Sequence, residues 1–337
     1  MTTETNPRQS IDKVIIEAQL NNTYKGILLD KDEQGKLGDK ISGKVRDCFV
    51  VGDKRILVTS DRISAFDRVL TTIPFKGQIL NQLAAYWFSA TSHIIDNHIL
   101  YHPHPYVLVS QEAKMLPVEL VVRGYLAGSA WRDYQAGRDV SGITLAKGLG
   151  KSEKFETPII TPTTKALPGA HDQPISSTDI VKKGLVEESV WEEACDKAIK
   201  LFNFASQKAD KNNLILVDSK YEFGLVTDAN GKQKLIIADE IHTPDSSRYW
   251  IKSSYESAYA SGDDPIMLDK EFVRRWLIAR GYMGEGTAPE FPDAFRVDVA
   301  QRYIDAFEQI SGGSFYPKTG PLDEEIKSAV FEALSQL

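Results

Sequence analysis

Three charged residues occupy alternate positions in an otherwise apolar segment, and their types and spacing could support chemistry. Asp218, Lys220 and Glu222 lie within a run of aliphatic, β-branched and aromatic residues that begins at Leu214. Because side chains alternate between the two faces of a β-strand, the three charges must project from one face. The opposite face is predicted to be core and carries Ile215, Val217, Tyr221 and Phe223.

A turn signal downstream of this strand indicates what the charges face. Asn230-Gly231 favours a type I′ hairpin, since both central residues of that turn need positive φ. With a two-residue loop, Glu222 would lie directly opposite Asp239. Opposed carboxylates repel unless a cation lies between them, and Mg²⁺ typically takes one or two carboxylates plus phosphate oxygens. The alternative is a solvated hairpin face on which Lys220 neutralises a neighbour.

A second segment, LPVELVVRGYLAGS at 116–129, combines an arginine, a glycine turn and a hydroxyl. Alternation places Glu119 and Arg123 on one face of a predicted strand. Ser129 stands where the N-cap of a helix beginning at Ala130 is expected. An arginine, a hydroxyl and a helix N-terminus that converge would bind a phosphate group. The alternative is a capped helix beside a surface arginine.

A glycine and a lysine also open a predicted strand at 43–47, GKVRD. Residues 38–44 have the spacing of a phosphate-binding P-loop. Val45 replaces the Ser or Thr of that motif, and a glycine loop here enters a strand, so we reject the P-loop interpretation. A lysine such as Lys44, beneath a glycine turn, instead fits the way kinase-like folds reach nucleotide phosphates.

The composition is that of a globular protein, with 337 residues, 42% hydrophobic and 26% charged. That length allows two domains, and a net charge of −7 argues against a nucleic-acid-binding surface. Cys48 and Cys195 form no disulfide framework and no metal spacing, and the histidines show no ligand spacing either. No signal-peptide core or membrane span is recognisable, so we predict a cytoplasmic protein without a membrane partner.

The elements that must position these residues change along the chain. Strands dominate early and helices later, which predicts an α+β enzyme with its site between two lobes. A disordered leader is predicted over 1–13 and a polar loop over 30–42. Helical periodicity is predicted for 79–95, 179–209, 270–280 and 294–310, with Asp269 and Asp293 as N-caps, and for a short helix that closes the chain.

Taken in order, these motifs closely resemble the SAICAR synthetase family. Its two long signatures correspond to 116–129 and to LVDSKYEFG at 216–224. Further matches follow the same order along the chain: GKVRD, SDRISAFD at 60–67, TPTTK at 161–165, the Asp239-Glu240 pair, DSSRYW at 245–250 and DKEFVR at 269–274. The resemblance covers roughly 24–315 and is closer to the longer, fungal-type members.

The resemblance implies an α+β, two-lobed fold with a β-rich, kinase-like N-terminal lobe over 14–118. An α+β lobe over 119–315 would follow, with an ATP cleft between the lobes and a tail helix over 316–337. Family members use ATP to join 4-carboxy-5-aminoimidazole ribonucleotide (CAIR) to L-aspartate in purine biosynthesis, through an acyl phosphate. We therefore expect a monomeric, amide-forming ligase that uses ATP and Mg²⁺ and acts on small molecules.

The resemblance also assigns roles to individual residues. The catalytic residues would be Lys220, Asp218 and Lys44. ATP would contact Lys44, Arg46, Lys114, Met115, Glu119 and Asp239. The metal would be held by Glu222 and Asp239. The substrate side would comprise Arg123, Ser129, Arg248, Asp218 and Lys220, with Asp61, Arg62 and Ser64.

Two other functions remain open from sequence. A kinase-like small-molecule phosphotransferase would share the lobes, but the chain lacks the H-R-D and D-F-G runs of protein kinases. A catalytically silent nucleotide-binding regulator is the other possibility. The presence of Lys44, Arg123, Glu222 and Asp239 argues against a loss of activity.

Overall fold

The computed structural model describes residues 11–165, 172–228, 230–268 and 270–337. These ranges contain ten α-helices: α1 Lys13–Gln19, α2 Lys31–Leu37, α3 Lys76–Thr91, α4 Gly128–Gln135, α5 Ser177–Lys182, α6 Glu188–Lys211, α7 Lys252–Ser261, α8 Glu271–Ile278, α9 Asp293–Ser311 and α10 Asp323–Ser335. They also contain fourteen strands: β1 Lys40–Ser42, β2 Arg46–Val51, β3 Lys54–Thr59, β4 Arg62–Ala65, β5 Arg68–Thr72, β6 Ile99–His104, β7 Val107–Gln111, β8 Lys114–Met115, β9 Val118–Tyr125, β10 Lys154–Thr164, β11 Gln173–Pro174, β12 Leu214–Thr227, β13 Gln233–Ala238 and β14 Ser247–Ile251. Among the described helices, none has the length and apolar character needed to cross a membrane.

The N-terminal lobe is built on an antiparallel sheet of order β1-β2-β3-β7-β6. Alternation along β2 and β3 gives this sheet two different faces. Phe49, Ile56 and Val58 point to a buried cluster that includes Ile326 and Val330 of α10. The helix predicted for the tail therefore packs on the N-terminal lobe, although it closes the chain. The other face of the sheet borders the cleft between the lobes.

The C-terminal lobe is built on a sheet of order β11-β10-β9-β12-β13, and β12 also pairs with β14 and β8. The long strand β12 is thus the element on which most of the lobe is assembled. Helix α6 covers the sheet with the apolar stripe expected from its periodicity, and its buried residues are Trp191, Ala194, Ala198, Leu201, Phe202, Ala205 and Ala209. The single helix predicted for 179–209 is wrong, because the chain breaks at Gly184, with φ +64°, and forms α5 and α6.

The predicted hairpin forms with a longer loop than expected. Glu222 pairs with Ala238, not with Asp239. The strands end at Thr227 and Gln233, and Asp228 N donates to Lys232 O at 2.9 Å. The prediction of a two-residue loop is therefore wrong, and the register of the hairpin differs from the predicted one by one residue. As a result, Asp239 lies just beyond the end of β13.

A bulge also interrupts the predicted alternation of β12. The pairing register with β14 shifts between Leu216 and Asp218, which is the effect of an extra residue in one strand. Tyr221 and Phe223 reach the main core as predicted. Val217 instead joins a separate cluster with Tyr125 and Trp250, against which Ile215 also packs.

Local capping explains two departures near the N-terminus. The loop predicted over 30–42 is wrong, because Asp30 and Glu33 form a capping box that starts α2 and β1 follows. The predicted leader over 1–13 overlaps an ordered segment, since Asp12 caps α1, which begins at Lys13. Residues 1–10 lie outside the described residues.

Two other predicted caps differ by one residue or cannot be placed. Helix α9 begins at Asp293 itself, with Pro292 as its N-cap, and α8 has Lys270 as its N-cap. Asp269 lies outside the described residues. Helix α3, predicted for 79–95, runs over Lys76–Thr91, and the helices predicted over 270–280 and 294–310 agree to within a turn. The tail helix predicted over 316–337 is confined to Asp323–Ser335.

Candidate active site

A cavity of about 260 Å³ lies between the N-terminal sheet and the β12–β13 hairpin. It is lined from both lobes and from the connection between them by residues that include Arg46, Cys48, Leu57, Met115, Glu222 and Asp239. Gly224 allows the connection to approach β12 closely, because a Cβ on that residue would lie 2.9 Å from Ala113 Cβ and 3.1 Å from Met115 Sδ. The cleft predicted between two lobes is therefore present.

Four carboxylates gather at one part of this cleft, and we call them the carboxylate cluster: Glu119, Glu222, Asp239 and Glu240. Lys220 Nζ lies 3.0 Å from Glu119 Oε1 and 3.8 Å from Asp239 Oδ2, and it donates a hydrogen bond to Glu222. The register of β12 therefore points one lysine at three of the four acids.

Two further cations complete the cluster from other elements. Arg46 of β2 pairs with Asp239 and lies 3.2 Å from Glu240 Oε2. Lys165, just after β10, pairs with Glu222. The two lobes are thus joined through ions in the cleft, because Arg46 belongs to the N-terminal sheet and its carboxylate partners follow β13.

Burial and charge act in opposite directions on these groups. Burial lowers the pKa of Lys220, but Glu222, Asp239 and Glu119 outweigh it and raise that pKa well above the usual range. Burial raises the pKa of Glu222, but Lys220 and Lys165 outweigh it and hold that pKa well below the usual range. Burial raises the pKa of Asp239, and this effect exceeds the opposing influence of Arg46. The two acids of the predicted metal pair are therefore not equivalent.

The contacts of Lys220 confirm part of the alternative interpretation of the hairpin charges, and the metal interpretation stays a prediction. Lys220 does neutralise Glu222, as the alternative interpretation predicted. The face is buried in the cleft and not solvated, because Glu222 is 9% exposed. A cation lies between the acids as expected from their repulsion, and in the structure that cation is a lysine.

The chemistry of these donors suits Mg²⁺ only with help from a ligand. No group of three or more His, Cys, Asp or Glu residues in the described ranges is placed to hold a metal ion. Mg²⁺ commonly binds through one or two carboxylates together with substrate phosphates. Glu222 and Asp239 both line the cleft, so they could supply the two protein ligands once a polyphosphate is bound.

A second charged group, the arginine cluster, comprises Arg123 and Arg248 around Asp218. Arg123 Nη1 donates to Asp218 Oδ2 at 2.9 Å, and Arg248 donates to the same oxygen. Arg123 is also held by neutral groups, because its Nε donates to Thr161 Oγ1 at 2.8 Å and its Nη2 to Ser129 Oγ at 3.1 Å. All three nitrogens of the Arg123 guanidinium group are thereby hydrogen-bonded.

The turn into α4 brings the helix start close to Arg248. Gly128 has φ +59°, and a Cβ there would lie 2.7 Å from Arg248 Nη2. The N-cap predicted at Ser129 is wrong, because α4 begins at Gly128 with Ala127 as its N-cap. Ser129 lies in the first turn, where its hydroxyl accepts from Arg123. Arg248 borders two small cavities, of about 210 and 120 Å³, beside this turn.

Other predicted site residues lie elsewhere. Lys44 is half exposed and pairs with Asp67, outside the carboxylate cluster. Lys114 is exposed and its strand pairs with β12, while the neighbouring Met115 lines the cleft. Glu119 reaches the site through Lys220.

Three residues predicted on the substrate side lie away from both charged clusters, and their role stays a prediction. Asp61 is fully buried and accepts from Tyr24 N, Gly77 N and Tyr106 Oη, so it holds the N-terminal lobe together. Arg62 donates to the backbone carbonyls of residues 25, 43 and 44 and thus fixes the glycine loop. Ser64 is buried on β4 and lines neither the cleft nor the cavities beside Arg248.

Sequence reasoning missed two charged partners. Lys165 ends the TPTTK segment, which carries a hydroxyl-rich loop signal but no spacing that points to Glu222. Lys76 is fully buried, and its Nζ lies 2.9 Å from Asp245 Oδ2, which also receives Lys270 Nζ at 2.8 Å. Both contacts join segments far apart in the chain, so no local pattern could have revealed them.

Comparisons with known proteins agree with this geometry. The SAICAR synthetase family model matches residues 39–289. The phosphoribosylaminoimidazole-succinocarboxamide synthase of Legionella pneumophila (strain Paris) is 44% identical over 298 residues, covering 86% of this chain and 93% of the relative. The chloroplastic enzyme of the same name from Arabidopsis thaliana is 42% identical over 310 residues, covering 89% and 74%.

Solved structures give the same result for the fold. The Saccharomyces cerevisiae SAICAR synthase complexed with SAICAR superposes with a TM-score of 0.76 at 30% identity, over 87% of this chain and 99% of that one. A SAICAR synthetase in complex with ADP, 23% identical, shares the fold with a TM-score of 0.62, over 82% of this chain and 100% of that one. The α+β, two-lobed architecture is thereby confirmed, and this chain belongs to the SAICAR synthetase family.

Proposed function

We propose that this chain uses ATP to join CAIR to L-aspartate, forming SAICAR with release of ADP and phosphate, through an acyl phosphate. The observation that carries the site assignment is the layout of β12. Asp218 lies in the arginine cluster, while Lys220 and Glu222 lie in the carboxylate cluster. Four residues of strand span about 13 Å, so one mononucleotide could place its phosphate at the first cluster and its carboxylate at the second.

The arginine cluster is suited to the 5′-phosphate of CAIR. Two guanidinium groups converge there on one oxygen of Asp218. Arg123 is oriented by Thr161 and Ser129 before any ligand binds, and arginine binds phosphate through paired, charge-assisted hydrogen bonds. Arg123, Ser129 and Arg248 would therefore anchor the ribonucleotide, with Asp218 holding the two arginines in place.

The reaction requires a carboxylate to become an electrophile. A CAIR carboxylate oxygen would bond to the γ-phosphorus of ATP as the bond to the bridging oxygen of ADP breaks. The aspartate amine would then attack the acyl carbon, lose a proton and expel phosphate. Lys220 would lie beside the reacting carboxylate, while Lys165 and Arg46 would offset phosphate charge during transfer. The alternative function, a phosphotransferase that acts on a hydroxyl, would not require the amine of aspartate as a third reactant.

The remaining assignments complete the proposal. Mg²⁺ would be held by Glu222 and Asp239 and would supply charge neutralisation for the ATP phosphates. Met115 and the backbone at Lys114 would border the adenine, and Glu119 would act by orienting Lys220. We still propose that Lys44 contacts ATP. Its exposed ion pair with Asp67 contributes little to stability and can rearrange when the nucleotide binds.

We also propose that the protein works as a cytoplasmic monomer. The support is compositional: Cys48 and Cys195 are free thiols, and disulfides are rare in reducing compartments. Light scattering of the purified chain, with and without nucleotide, tests the monomer; a stable dimer mass would contradict it.

Turnover with ATP, CAIR and aspartate, omitting each in turn, tests the function. We expect product only when all three are present. With ¹⁸O in the CAIR carboxylate, label should appear in the released phosphate, because the acyl C–O bond breaks in the second step. An active enzyme that transfers no label would contradict the acyl phosphate route and leave the ligase assignment intact.

A further inference from the structure

His98 is a buried polar side chain of the cleft that the proposed reaction does not use. It lies just before β6 and lines the cavity between the lobes, and its side chain is almost fully buried, with 4% of the residue exposed. Its backbone N donates to Ile237 O at 3.2 Å, and its backbone O accepts from Gln111 N at 2.8 Å. The position of His98 is therefore fixed by both lobes at once.

The imidazole of His98 is left without hydrogen bonds. Neither Nδ1 nor Nε2 has a partner within the described part of the chain. Burial lowers the pKa of His98 to about 3, so at neutral pH the ring is neutral and offers one donor and one acceptor nitrogen. Its ring packs edge-on against Phe88, with the centroids 5.2 Å apart. Phe88 belongs to α3, and other atoms of His98 line the cleft. Both ring nitrogens are shielded in this structure, so a partner in the cleft is reached by a rotation of the ring.

The neighbours of His98 indicate which part of a nucleotide it would meet. Two sets of ionic groups line the cleft: Arg46, Lys165 and the carboxylate cluster suit phosphates and metal, and Arg55 is paired with Glu112. The remaining lining includes Leu57, Met115 and Ala238, whose apolar surfaces suit a flat ring. His98 is an unpartnered polar group beside this apolar part.

We infer that His98 contacts the nucleotide base, with one imidazole nitrogen forming a hydrogen bond to the edge of the purine. The inference rests on the proposed function only in taking ATP as the nucleotide bound in this cleft. An unsatisfied buried polar group destabilises a protein without its ligand. A base that supplies the missing hydrogen bond removes that penalty. The free energy recovered in this way adds to the affinity of the protein for the base.

The test compares the parent with His98→Phe, which keeps a flat ring and removes both nitrogens. We expect the Kd for ADP, measured by calorimetry, to rise about fivefold, which corresponds to roughly 1 kcal/mol. The melting temperature of the ligand-free variant should be equal to or higher than that of the parent. The inhibition constant of inorganic tripolyphosphate against ATP should not change, because this ligand has phosphates and no base.

His104→Phe is the matched control. His104 is also buried, at 6% exposure, but its Nδ1 accepts from Tyr106 N at 3.2 Å and its Nε2 lies 3.6 Å from Glu325 of α10, away from the cleft. This control should melt at a lower temperature and bind ADP as the parent does. His98→Leu is a second variant, for use if the phenylalanine ring prevents folding, with the same expected increase in the Kd for ADP.

Three results would overturn the inference. The first is an unchanged Kd for ADP in the folded His98 variants. The second is a loss of tripolyphosphate binding equal to the loss of ADP binding, which would place His98 at the phosphates. The third is a lower melting temperature with unaltered ADP binding, the signature of a purely structural histidine. If the parent itself failed to bind ADP, the proposed function would be contradicted instead.

Discussion

The arginine cluster and the carboxylate cluster meet the same strand, β12, and are built from opposite kinds of charged residue. In the arginine cluster, one carboxylate, Asp218, faces two guanidinium groups. In the carboxylate cluster, four acids face Lys220, Lys165 and Arg46. Guanidinium groups suit a phosphate, and a group of carboxylates suits a cation. The proposed function accordingly assigns the CAIR phosphate to the first cluster and Mg²⁺ to the second.

The two clusters also differ in how firmly their groups are held. Arg123 is fixed by two neutral hydroxyls as well as by its ion pair. Lys220 is fixed by carboxylates alone, and one of them, Glu222, is also a proposed metal ligand. A prearranged anion site binds substrate with little reorganisation. An exchangeable ion network can instead rearrange when ATP and metal arrive.

The largest effect should come from Lys220→Met, which removes the central cation from the carboxylate cluster. We expect turnover to fall by at least about 100-fold, the usual loss when one transition-state donor is removed. The freed acids should bind Mg²⁺ more tightly without nucleotide. The melting temperature of the variant should therefore rise more steeply with Mg²⁺ than that of the parent.

Lys234→Met is the control for this prediction, because Lys234 makes an exposed ion pair with Asp96. That variant should keep parental turnover and parental Mg²⁺ dependence. A Lys220→Met enzyme with unchanged turnover would remove Lys220 from the chemistry and weaken the contrast between the clusters.

The next effect separates the two acids of the predicted metal pair. Glu222→Gln and Asp239→Asn should both lose metal-supported turnover at saturating ATP. Glu222→Gln should also lower the free energy of unfolding by about 2 kcal/mol, since it removes charge-assisted hydrogen bonds to Lys165 and Lys220. Asp239→Asn should be nearly neutral or stabilising, and its φ of +61° suits asparagine. Unchanged activity in both variants at saturating Mg²⁺ would eliminate the metal assignment.

The pH dependence of unfolding gives the same distinction with opposite signs. The lowered pKa of Glu222 stabilises the fold fully above the ordinary glutamate value of about 4.3, and this contribution is lost as the pH falls below it. The raised pKa of Asp239 makes its ionisation in the fold unfavourable as the pH rises above about 3.9. Denaturant titrations should therefore show a difference between parent and Glu222→Gln that grows from pH 3 to about 5 and then stays constant to about pH 7. The difference between parent and Asp239→Asn should change in the other direction.

A smaller effect is expected in the arginine cluster. Arg123→Lys keeps the charge but loses the planar fork that bonds Thr161, Ser129 and Asp218. We expect the KM for CAIR to rise about tenfold, roughly 1.4 kcal/mol, with little change in ATP affinity. Arg138→Lys, at an exposed pair with Asp133, should leave both constants unchanged. Weaker ATP binding with intact CAIR binding would mean that the proposed positions of the two ligands are exchanged, with ATP at the arginine cluster.

The sequence predicted elements whose signals are local. Alternation on β9 and β12 correctly grouped Glu119 with Arg123, and Asp218 with Lys220 and Glu222. The bulge at Val217 and the one-residue change in the hairpin were not predictable, because each depends on how neighbouring strands pair. The same limit hid Lys165 and His98, whose significance comes from groups distant in the chain.

Polar signatures also misled where a hydroxyl or charge had two possible uses. Asp61 and Arg62 have the composition of a substrate loop, yet both form hydrogen bonds within their own lobe, mainly with backbone groups. Ser129 matched an N-cap signature, but Gly128 extends α4 by two residues and frees the hydroxyl for Arg123. Residue type therefore identified the right neighbourhood, and tertiary packing decided the role.

Ser129→Ala should have the smallest effect of the series. It removes one of the two neutral groups that orient Arg123, while Thr161 and Asp218 still hold the guanidinium. The lost hydroxyl acts on CAIR only through Arg123, so we expect a loss of about 1 kcal/mol, the contribution of a typical hydrogen bond. The KM for CAIR should then rise by up to about fivefold, without a change in the ATP KM. If Ser129 acts through Arg123, the double variant with Arg123→Lys should lose less than the sum of the two single losses in free energy. Full additivity would show that Ser129 binds CAIR independently, and the hydroxyl would then be a direct ligand of the phosphate.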